Sequence, residues 1–235
     1  MNHSHFDSLH DYDAEIPEHM RVHYLEKKTS ITEKWIHRFI RSEAQSILDV
    51  GCGTGWHLAK LAAPNRSLVG LDSSTRQLSK LMMHSSPIEG ILGSAEQLPF
   101  EDQSFEVVLS INTIHHLPTL SAQHQALREI HRVLKKGGIF IIHEVNIINP
   151  VIRFYMDKIF PKIRKIDTGE EIWLQMSTLS SILGDPMDRK YYTFAPDWTP
   201  SFLLKSIKLL EHGIEKTPLA ILGAHFAAVF LKPLS

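Results

Sequence analysis

Three glycines within five residues, Gly51-Cys52-Gly53-Thr54-Gly55, lie between a short apolar segment and an amphipathic one. The apolar segment, 46–50, has the length of a buried strand, and residues 56–63 have helical periodicity that stops before Pro64. Glycines at such a turn let the backbone bend sharply and approach a ligand that a Cβ would exclude. The sequence therefore predicts a ligand site at the carboxyl end of a first strand.

The same alternation of strand and helix continues along the chain. We expect further strands at 67–71, 89–93, 105–111 and 139–145, and helices at 74–83, with Ser73 as N-cap, and at 119–136, ended by Gly137-Gly138. Amphipathic helices are also expected between residues 19 and 41, and a helix at 201–210, closed by Gly213, should precede two closing strands at 214–221 and 225–231. Because crossovers between parallel strands are right-handed, the predicted class is α/β, a doubly wound, mostly parallel sheet with an antiparallel closing strand and helices on both faces.

Composition excludes several classes of function. With 25 basic and 26 acidic residues the net charge is -1, so no global field attracts nucleic acid or an anionic membrane. One cysteine, Cys52, the absence of an apolar signal segment after Met1 and the lack of a run long enough to span a bilayer predict a cytoplasmic protein. The 15 histidines are scattered without zinc-site spacing, so we expect no metal.

An acidic residue accompanies the glycine turn. Asp72 ends the second predicted strand, seventeen residues after Gly55, where a carboxylate can accept hydrogen bonds from both ribose hydroxyls. Trp56 stands where a dinucleotide fingerprint needs glycine, and no Lys-Ser or Lys-Thr pair follows as in a P-loop. These features favour a nucleoside-like ligand; the alternative is a tight turn beside a solvated acid.

The segment Ile47-Leu48-Asp49-Val50-Gly51-Cys52-Gly53-Thr54-Gly55 resembles the first motif of class I S-adenosylmethionine-dependent methyltransferases. Residues 68–74, 93–100, 104–108 and 128–138 resemble later motifs of that family, in the same order. Together they cover about residues 46 to 145. The resemblance implies a Rossmann-like fold and S-adenosyl-L-methionine as cofactor, but not the identity of the acceptor.

The resemblance also implies which residues hold that cofactor. In the family pattern the first motif binds the methionine end, the second strand's end binds the adenosine, and a later loop surrounds the adenine. The residues at these positions are Asp49, Gly51, Cys52, Gly53, Gly55, Asp72, Ser73, Ser94, Ala95, Glu96 and Asn112. Ser94 departs from the pattern, since the family often has aspartate there, and this puts the contact with the adenine amine in doubt.

Candidate catalytic residues follow the fourth and fifth strands. His116 is the predicted general base, because a neutral imidazole accepts a proton near pH 7, and Glu144 is predicted to orient the acceptor or the base. The alternatives are that His116 packs or caps a turn and that Glu144 forms a structural salt bridge. His115, Tyr12, Tyr24 and Trp173 are the candidate substrate contacts; the tyrosines could also serve only in packing.

We expect one methyltransferase domain, 1–235, with a cofactor-binding core at 41–145. An arm and helices at 1–40 and an insertion at 146–198 should form the lid over the substrate, and 199–235 should supply the closing helix and two strands. Thr168-Gly169-Glu170-Glu171 is predicted as a capping box that opens a lid helix. The stretch 151–165 interleaves aromatic and basic residues, a pattern that suits a membrane surface, an anionic acceptor or a plain solvated face.

The predicted function is methyl transfer to an O, N or C atom of a small-molecule acceptor. Because the sulfonium reacts by in-line displacement, the protein must chiefly position the two reactants and exclude water. A protein or RNA methyltransferase and a non-catalytic adenosyl-ligand-binding module are the alternatives; the neutral charge disfavours RNA. No partner protein is indicated, and the oligomeric state stays open.

Overall fold

The computed structural model describes residues 15–84, 87–163 and 169–234, which form one seven-stranded sheet in the order β3-β2-β1-β4-β5-β7-β6. Strands β1 to β5 pair in parallel, and β7 runs antiparallel to both of its neighbours. The strands are β1 Gln45–Val50, β2 Arg66–Asp72, β3 Ile88–Leu92, β4 Phe105–Ile111, β5 Leu134–Val145, β6 Asp188–Tyr192 and β7 His225–Leu231. The predicted α/β, Rossmann-like class is confirmed.

Helices cover both faces of this sheet. They are α1 Glu18–Phe39, α2 Trp56–Lys60, α3 Thr75–Leu81, α4 Leu120–Val133, α5 Pro150–Lys158, α6 Phe160–Ile163, α7 Met176–Leu183 and α8 Ser201–Ile214. One core cluster joins the sheet to α1, α2 and α3 through side chains such as Trp35, Leu58 and Leu81. A second joins the opposite face to α4 and α7 through Ile130 and Leu179. Successive strand residues alternate between the two clusters, as Ile47 and Leu48 do, because side chains of a strand point to opposite faces.

The prediction of a strand at 214–221 is wrong. Helix α8 continues through Gly213 to Ile214, and Pro218–Leu222 form a 3-10 turn capped by the Thr217 hydroxyl, which accepts from the Leu219 N–H. The second closing strand is instead β6, inside the segment predicted as the lid insertion, and it pairs with β7. The segment contains Glu215, Lys216 and Pro218, and a proline within a run argues against a strand because it cannot donate a ladder hydrogen bond.

Two boundaries also differ from the prediction. Helix α4 ends at Val133, and Gly137-Gly138 lie inside β5 rather than after the helix. A Cβ at Gly138 would approach the Glu106 carbonyl oxygen to 2.8 Å, so glycine here permits close approach to β4. Ser74, not Ser73, is the N-cap of α3: its hydroxyl accepts from the Gln77 N–H at 3.2 Å.

The predicted lid helix after residue 168 lies elsewhere. Thr168 is outside the described residues, Glu170 and Glu171 are not helical, and α7 begins only at Met176. The Gln123 side chain of α4 donates to the Ile172 carbonyl at 2.6 Å, and Leu179 is buried in the core beside α4. This part of the insertion therefore packs against α4 and one face of the sheet.

Among the described residues, no helix has both the length and the apolar character that a bilayer span requires.

Candidate functional site

A cavity of about 670 Å³ opens at the carboxyl ends of β1, β2 and β4. Ligands of open α/β sheets bind at such a position, and the volume is within the range of small-molecule sites. Its lining combines the glycine turn, the ends of these strands, α1, α5 and the loop 194–198. Residues of both predicted lid segments, 1–40 and 146–198, therefore contribute to the cavity, although 169–183 does not.

The glycine turn forms one wall through backbone conformations that other residues rarely adopt. Gly51, Gly53 and Gly55 have φ of +78°, +53° and +77°. A Cβ at Gly51 would come within 2.2 Å of Thr113 Cγ2, so this position must be glycine for packing. At Gly53 a Cβ would meet no atom within 4 Å, and Gly53 lines the cavity. The bare backbone at Gly53 is thus a surface that a ligand can contact directly.

Asp72 is fixed beside this turn by two backbone donors. Its Oδ2 accepts from the Gly53 N–H at 2.8 Å, and its Oδ1 accepts from the Ser74 N–H at 2.9 Å. A carboxylate oxygen can accept more than one hydrogen bond, so a ligand hydroxyl can share these acceptors. The turn and the acid predicted to act together are therefore one hydrogen-bonded unit at the cavity wall.

A polar end of the cavity is formed by Asp49 and Lys28, and we refer to these two residues as the polar end. Asp49 is 2% exposed, and its Oδ1 has no hydrogen-bond partner among the described residues. Burial, with a smaller contribution from Asp72, raises the pKa of Asp49 to about 7, although Lys28 opposes the shift. Burial also lowers the pKa of Lys28 to about 8, against the attraction of Glu144 and Asp49. One end of the cavity is therefore lined by a carboxyl group and an amine of opposite charge types, and Asp49 Oδ1 is left for a ligand group to contact.

Two histidines, the buried His57 and the half-buried His225, also line the cavity. Burial, with a smaller contribution from Lys28, lowers the pKa of both His57 and His225 to about 3, so both are neutral at physiological pH. Both ring nitrogens of His57 lack a hydrogen-bond partner within the described part of the chain. Asn112 follows β4 and has φ +51°. Its Oδ1 is buried and also lacks a hydrogen-bond partner among the described residues. These orphaned polar atoms indicate a site built for a polar ligand group.

A buried pair of side chains stands at the ends of β4 and β5. His115 Nδ1 forms a short hydrogen bond with a Glu144 carboxylate oxygen, and the other oxygen accepts from the Ile114 N–H at 3.1 Å. Glu144 lies behind His115 and is absent from the cavity lining, whereas His115 reaches it. A carboxylate on Nδ1 selects the tautomer in which Nδ1 carries the proton, and Nε2 is then the basic atom.

The remaining catalytic and substrate candidates are distributed unevenly. His116 lines the cavity, with its ring 4.0 Å from that of His115. Tyr24 also lines it and donates to the Ala195 carbonyl at 3.0 Å. Trp173 does not; it packs against His115 at 5.0 Å between ring centres and donates to Asp157. Tyr12 is outside the described residues.

The adenine-side candidates are also only partly in the cavity. Cys52, Ser73, Ser94 and Ala95 line it, whereas Glu96 does not. The Ser94 hydroxyl accepts from the Glu96 N–H at 3.2 Å, so the residue that departs from the family pattern serves to close its own turn.

Sequence reasoning missed Lys28. It falls in the buried stripe of α1, between His23 and Thr32, where the helix otherwise presents residues to the sheet. A basic residue inside the buried face of an amphipathic helix is the signal that could have found it, because lysine is almost never buried without a functional or paired role.

Comparison with known proteins finds similarity to methyltransferases. Residues 48–142 match the family model described as a methyltransferase domain. The chain is 30% identical over 154 residues to a sterol 24-C-methyltransferase from Pneumocystis carinii, covering 63% of this chain and 38% of that protein. It is 37% identical over 123 residues to a demethylmenaquinone methyltransferase from Chlorobaculum parvum, covering 50% of each. The chain spans about half or less of the length of the curated relatives it matches.

A solved structure extends the likeness to the whole fold. A SAM-dependent methyltransferase from Thermotoga maritima aligns with a TM-score of 0.59 at 21% identity, over 89% of this chain and 98% of that one. At this identity the likeness shows the fold alone.

Proposed function

We propose that this chain is a class I S-adenosylmethionine-dependent methyltransferase and that it transfers a methyl group from that cofactor to a small, largely apolar acceptor. The observation that carries the proposal is the juxtaposition of a ligand-accessible glycine backbone, a fixed ribose-type carboxylate and an unpartnered buried carboxylate in one cavity.

The residues present fit the cofactor. Its amino-acid end carries an ammonium and a carboxylate, and the polar end offers a carboxylate, Asp49, and an ammonium, Lys28. Asp72 would hold the ribose hydroxyls, and the Gly53 backbone would lie against the ligand. When bound, the cofactor supplies a methyl group activated by its sulfonium charge. We assign Lys28 to the carboxylate of the methionine end, since it lines the cavity near Asp49 and its ammonium carries the opposite charge to that carboxylate.

Part of the cavity wall is apolar, and we assign the acceptor to it. Val151, Ile152, Met156 and Phe160 line it from the α5–α6 segment, and Trp198 lines it from the following loop. Such walls favour an acceptor with an apolar body, because apolar surface gains free energy on leaving water. The sterol and demethylmenaquinone of the two relatives' names are molecules of this kind, and they support the same class here.

We assign the proton transfer to His115 rather than to His116. The hydrogen bond that His115 Nδ1 donates to Glu144 fixes the orientation and the tautomer of the ring, so Nε2 can accept the proton that the acceptor atom loses as it bonds to the methyl carbon. Glu144 acts as a positioning residue, since it touches His115 and does not line the cavity. The rest of the chain's contribution is to hold the reactants in line and exclude water.

The proposal is tested by incorporation of radiolabelled methyl groups from the cofactor into a lipid extract of cells. Label in the organic phase supports it, and label only in protein or RNA refutes the acceptor class. Cofactor binding without any incorporation would instead indicate a non-catalytic ligand-binding module.

The His115–Glu144 assignment has its own test. His115→Ala should lower kcat by a factor of about 10² to 10⁴, and Glu144→Gln should lower it less and shift its pH profile. Cofactor affinity measured by calorimetry should be unchanged in both variants. If His116→Ala alone reproduces these losses, the assignment is wrong.

A further inference from the structure

The outer sides of α5 and α8 carry large apolar side chains in contact with solvent. On α8, Phe202 is 79% and Leu209 72% exposed, and on α5 Val151 is 71% and Phe154 61% exposed. The inner side of α8 is anchored by Leu204 and Glu211, so Phe202 and Leu209 lie on the opposite side of this helix. Ordinary amphipathic helices present polar residues outward, and a contiguous exposed apolar patch marks an interaction surface.

Hydrogen bonds hold these elements next to one another. The Asn149 side chain, which caps α5, donates to the Leu222 carbonyl at 2.6 Å, in the turn that follows α8. Tyr155 of α5 donates to Asp197 at 2.7 Å, in the loop that precedes α8. The start and end of the α8 segment are therefore both joined to α5. We call the exposed apolar residues of 148–163 and 198–222 the apolar face; its larger members are Ile148, Val151, Phe154, Ile159, Ile163, Trp198, Phe202, Leu203, Leu209, Leu210, Leu219, Ile221 and Leu222.

The apolar face is continuous with the mouth of the cavity. Val151 and Trp198 are members of the face and also line the cavity, and both are exposed. At these two residues the surface between the apolar face and the cavity is apolar. An apolar molecule that moves from the face into the cavity there does not pass polar side chains of these two residues.

The charge of the apolar face is one-sided. Among the lysines, arginines, aspartates and glutamates of 146–163 and 198–222, those in the exposed class are all basic: Arg153, Lys158, Lys162, Lys205 and Lys216. The acidic residues of the same segments, Asp157, Glu211 and Glu215, are buried or half-buried, and each pairs with a neighbouring side chain. A chain with net charge -1 thus concentrates exposed positive charge around its exposed apolar side chains.

We propose that the apolar face binds the surface of an anionic lipid bilayer and that the acceptor enters the cavity from that bilayer. Apolar side chains would insert among the acyl chains while the surrounding lysines and arginines contact anionic headgroups. A second copy of this chain fits less well, because two such faces would bring basic residues against basic residues. The entry route rests on the proposed function, whereas the binding of lipid does not.

The test is flotation of the purified chain with vesicles, without cofactor or acceptor. We expect binding to vesicles of phosphatidylcholine and phosphatidylglycerol in equal parts, weaker binding to phosphatidylcholine alone, and weakening by salt. The double variant Phe202→Ser, Leu209→Ser should bind at least tenfold more weakly, because both side chains are exposed and their apolar surface is lost. Lys205→Glu should reduce binding only to the anionic vesicles.

Met83→Ser is the matched control, since Met83 is 83% exposed at the end of α3, beside β3 at the opposite edge of the sheet. It should bind vesicles as the unmodified chain does. Absence of flotation, or equal loss in the Met83 variant, would overturn the proposal. So would light scattering that finds a dimer which the double variant dissolves. Calorimetric binding of S-adenosylhomocysteine to all variants keeps this test separate from that of the proposed function.

Discussion

Replacing Gly53 by alanine separates the ligand role of the glycine turn from its structural role. An L residue at φ +53° costs about 1 to 2 kcal/mol of backbone strain, and alanine returns about 0.4 to 1 kcal/mol through the entropy of the unfolded chain. No atom lies within 4 Å of the new Cβ, so no packing clash is added. We expect Gly53→Ala to lower the free energy of unfolding by only about 1 kcal/mol.

The effect on ligand binding should be larger. The new methyl group projects into the cavity, where the proposed cofactor lies against the Gly53 backbone, and displacing that contact should cost about 2 kcal/mol, or roughly thirtyfold in affinity. Gly184→Ala is the control for backbone strain: it has φ +80° and ψ −174°, open space around the new Cβ, and no place in the cavity lining. Because this conformation is nearly restricted to glycine, urea unfolding should show Gly184→Ala to be at least as destabilised as Gly53→Ala. Calorimetry with S-adenosylhomocysteine should nevertheless show weakened binding only in the Gly53 variant. Equal affinity in both variants would refute the contact at Gly53.

Three other substitutions test the charges of the site. Asp72→Ala should weaken cofactor binding by about 2 to 3 kcal/mol in calorimetry while the sheet stays folded. In the unmodified chain, cofactor affinity should fall as the pH drops below about 7, because Asp49 becomes protonated. Asp49→Asn should abolish this pH dependence. Because its pKa is raised in the folded state, native stability falls as pH rises from about 4 to 7, so this variant should also gain about 1 to 3 kcal/mol in urea unfolding above pH 7. Glu211 has a pKa lowered to about 2, because hydrogen bonds from His23 and Lys27 outweigh burial. Glu211→Gln should cost about 2 to 4 kcal/mol at pH 7, and its stability should converge with that of the unmodified chain as pH falls from about 4.5 to 2.

The regular part of the fold was predictable because its signals are local. The β4 bounds of 105–111 were predicted to the residue, since a buried parallel strand is a near-continuous apolar run. The segment 214–221 lacks such a run, since it contains Glu215, Lys216 and Pro218, and it is the end of a helix and a capped turn. The strand that pairs with β7 at the sheet edge is β6, which comes earlier in the chain. A local sequence pattern does not reveal which of two distant segments will pair as strands.

The residues of the candidate site also differ in whether a local sequence pattern could locate them. Asp49, Gly53 and Asp72 lie in contiguous motifs, so a resemblance located them. The pairing of His115 with Glu144 joins the ends of two strands 29 residues apart, and Lys28 reaches the cavity from a helix outside the motifs. The sequence motifs therefore named several residues that line the cavity at the glycine turn, but not Lys28, which meets them only through the fold.

The polar and apolar parts of the cavity wall indicate where the proposed cofactor and the acceptor would lie. The polar end, with Asp49 and Lys28, is buried, whereas Val151 and Trp198 at the mouth are exposed and apolar. A zwitterionic ligand group gains most where charges of both signs are held out of water, and an apolar acceptor gains most near the mouth. The proposed cofactor would therefore occupy the deeper part and orient its methyl group toward the side from which the acceptor enters. His115, fixed by Glu144, lines this same cavity and is the group we assign to accept the acceptor's proton.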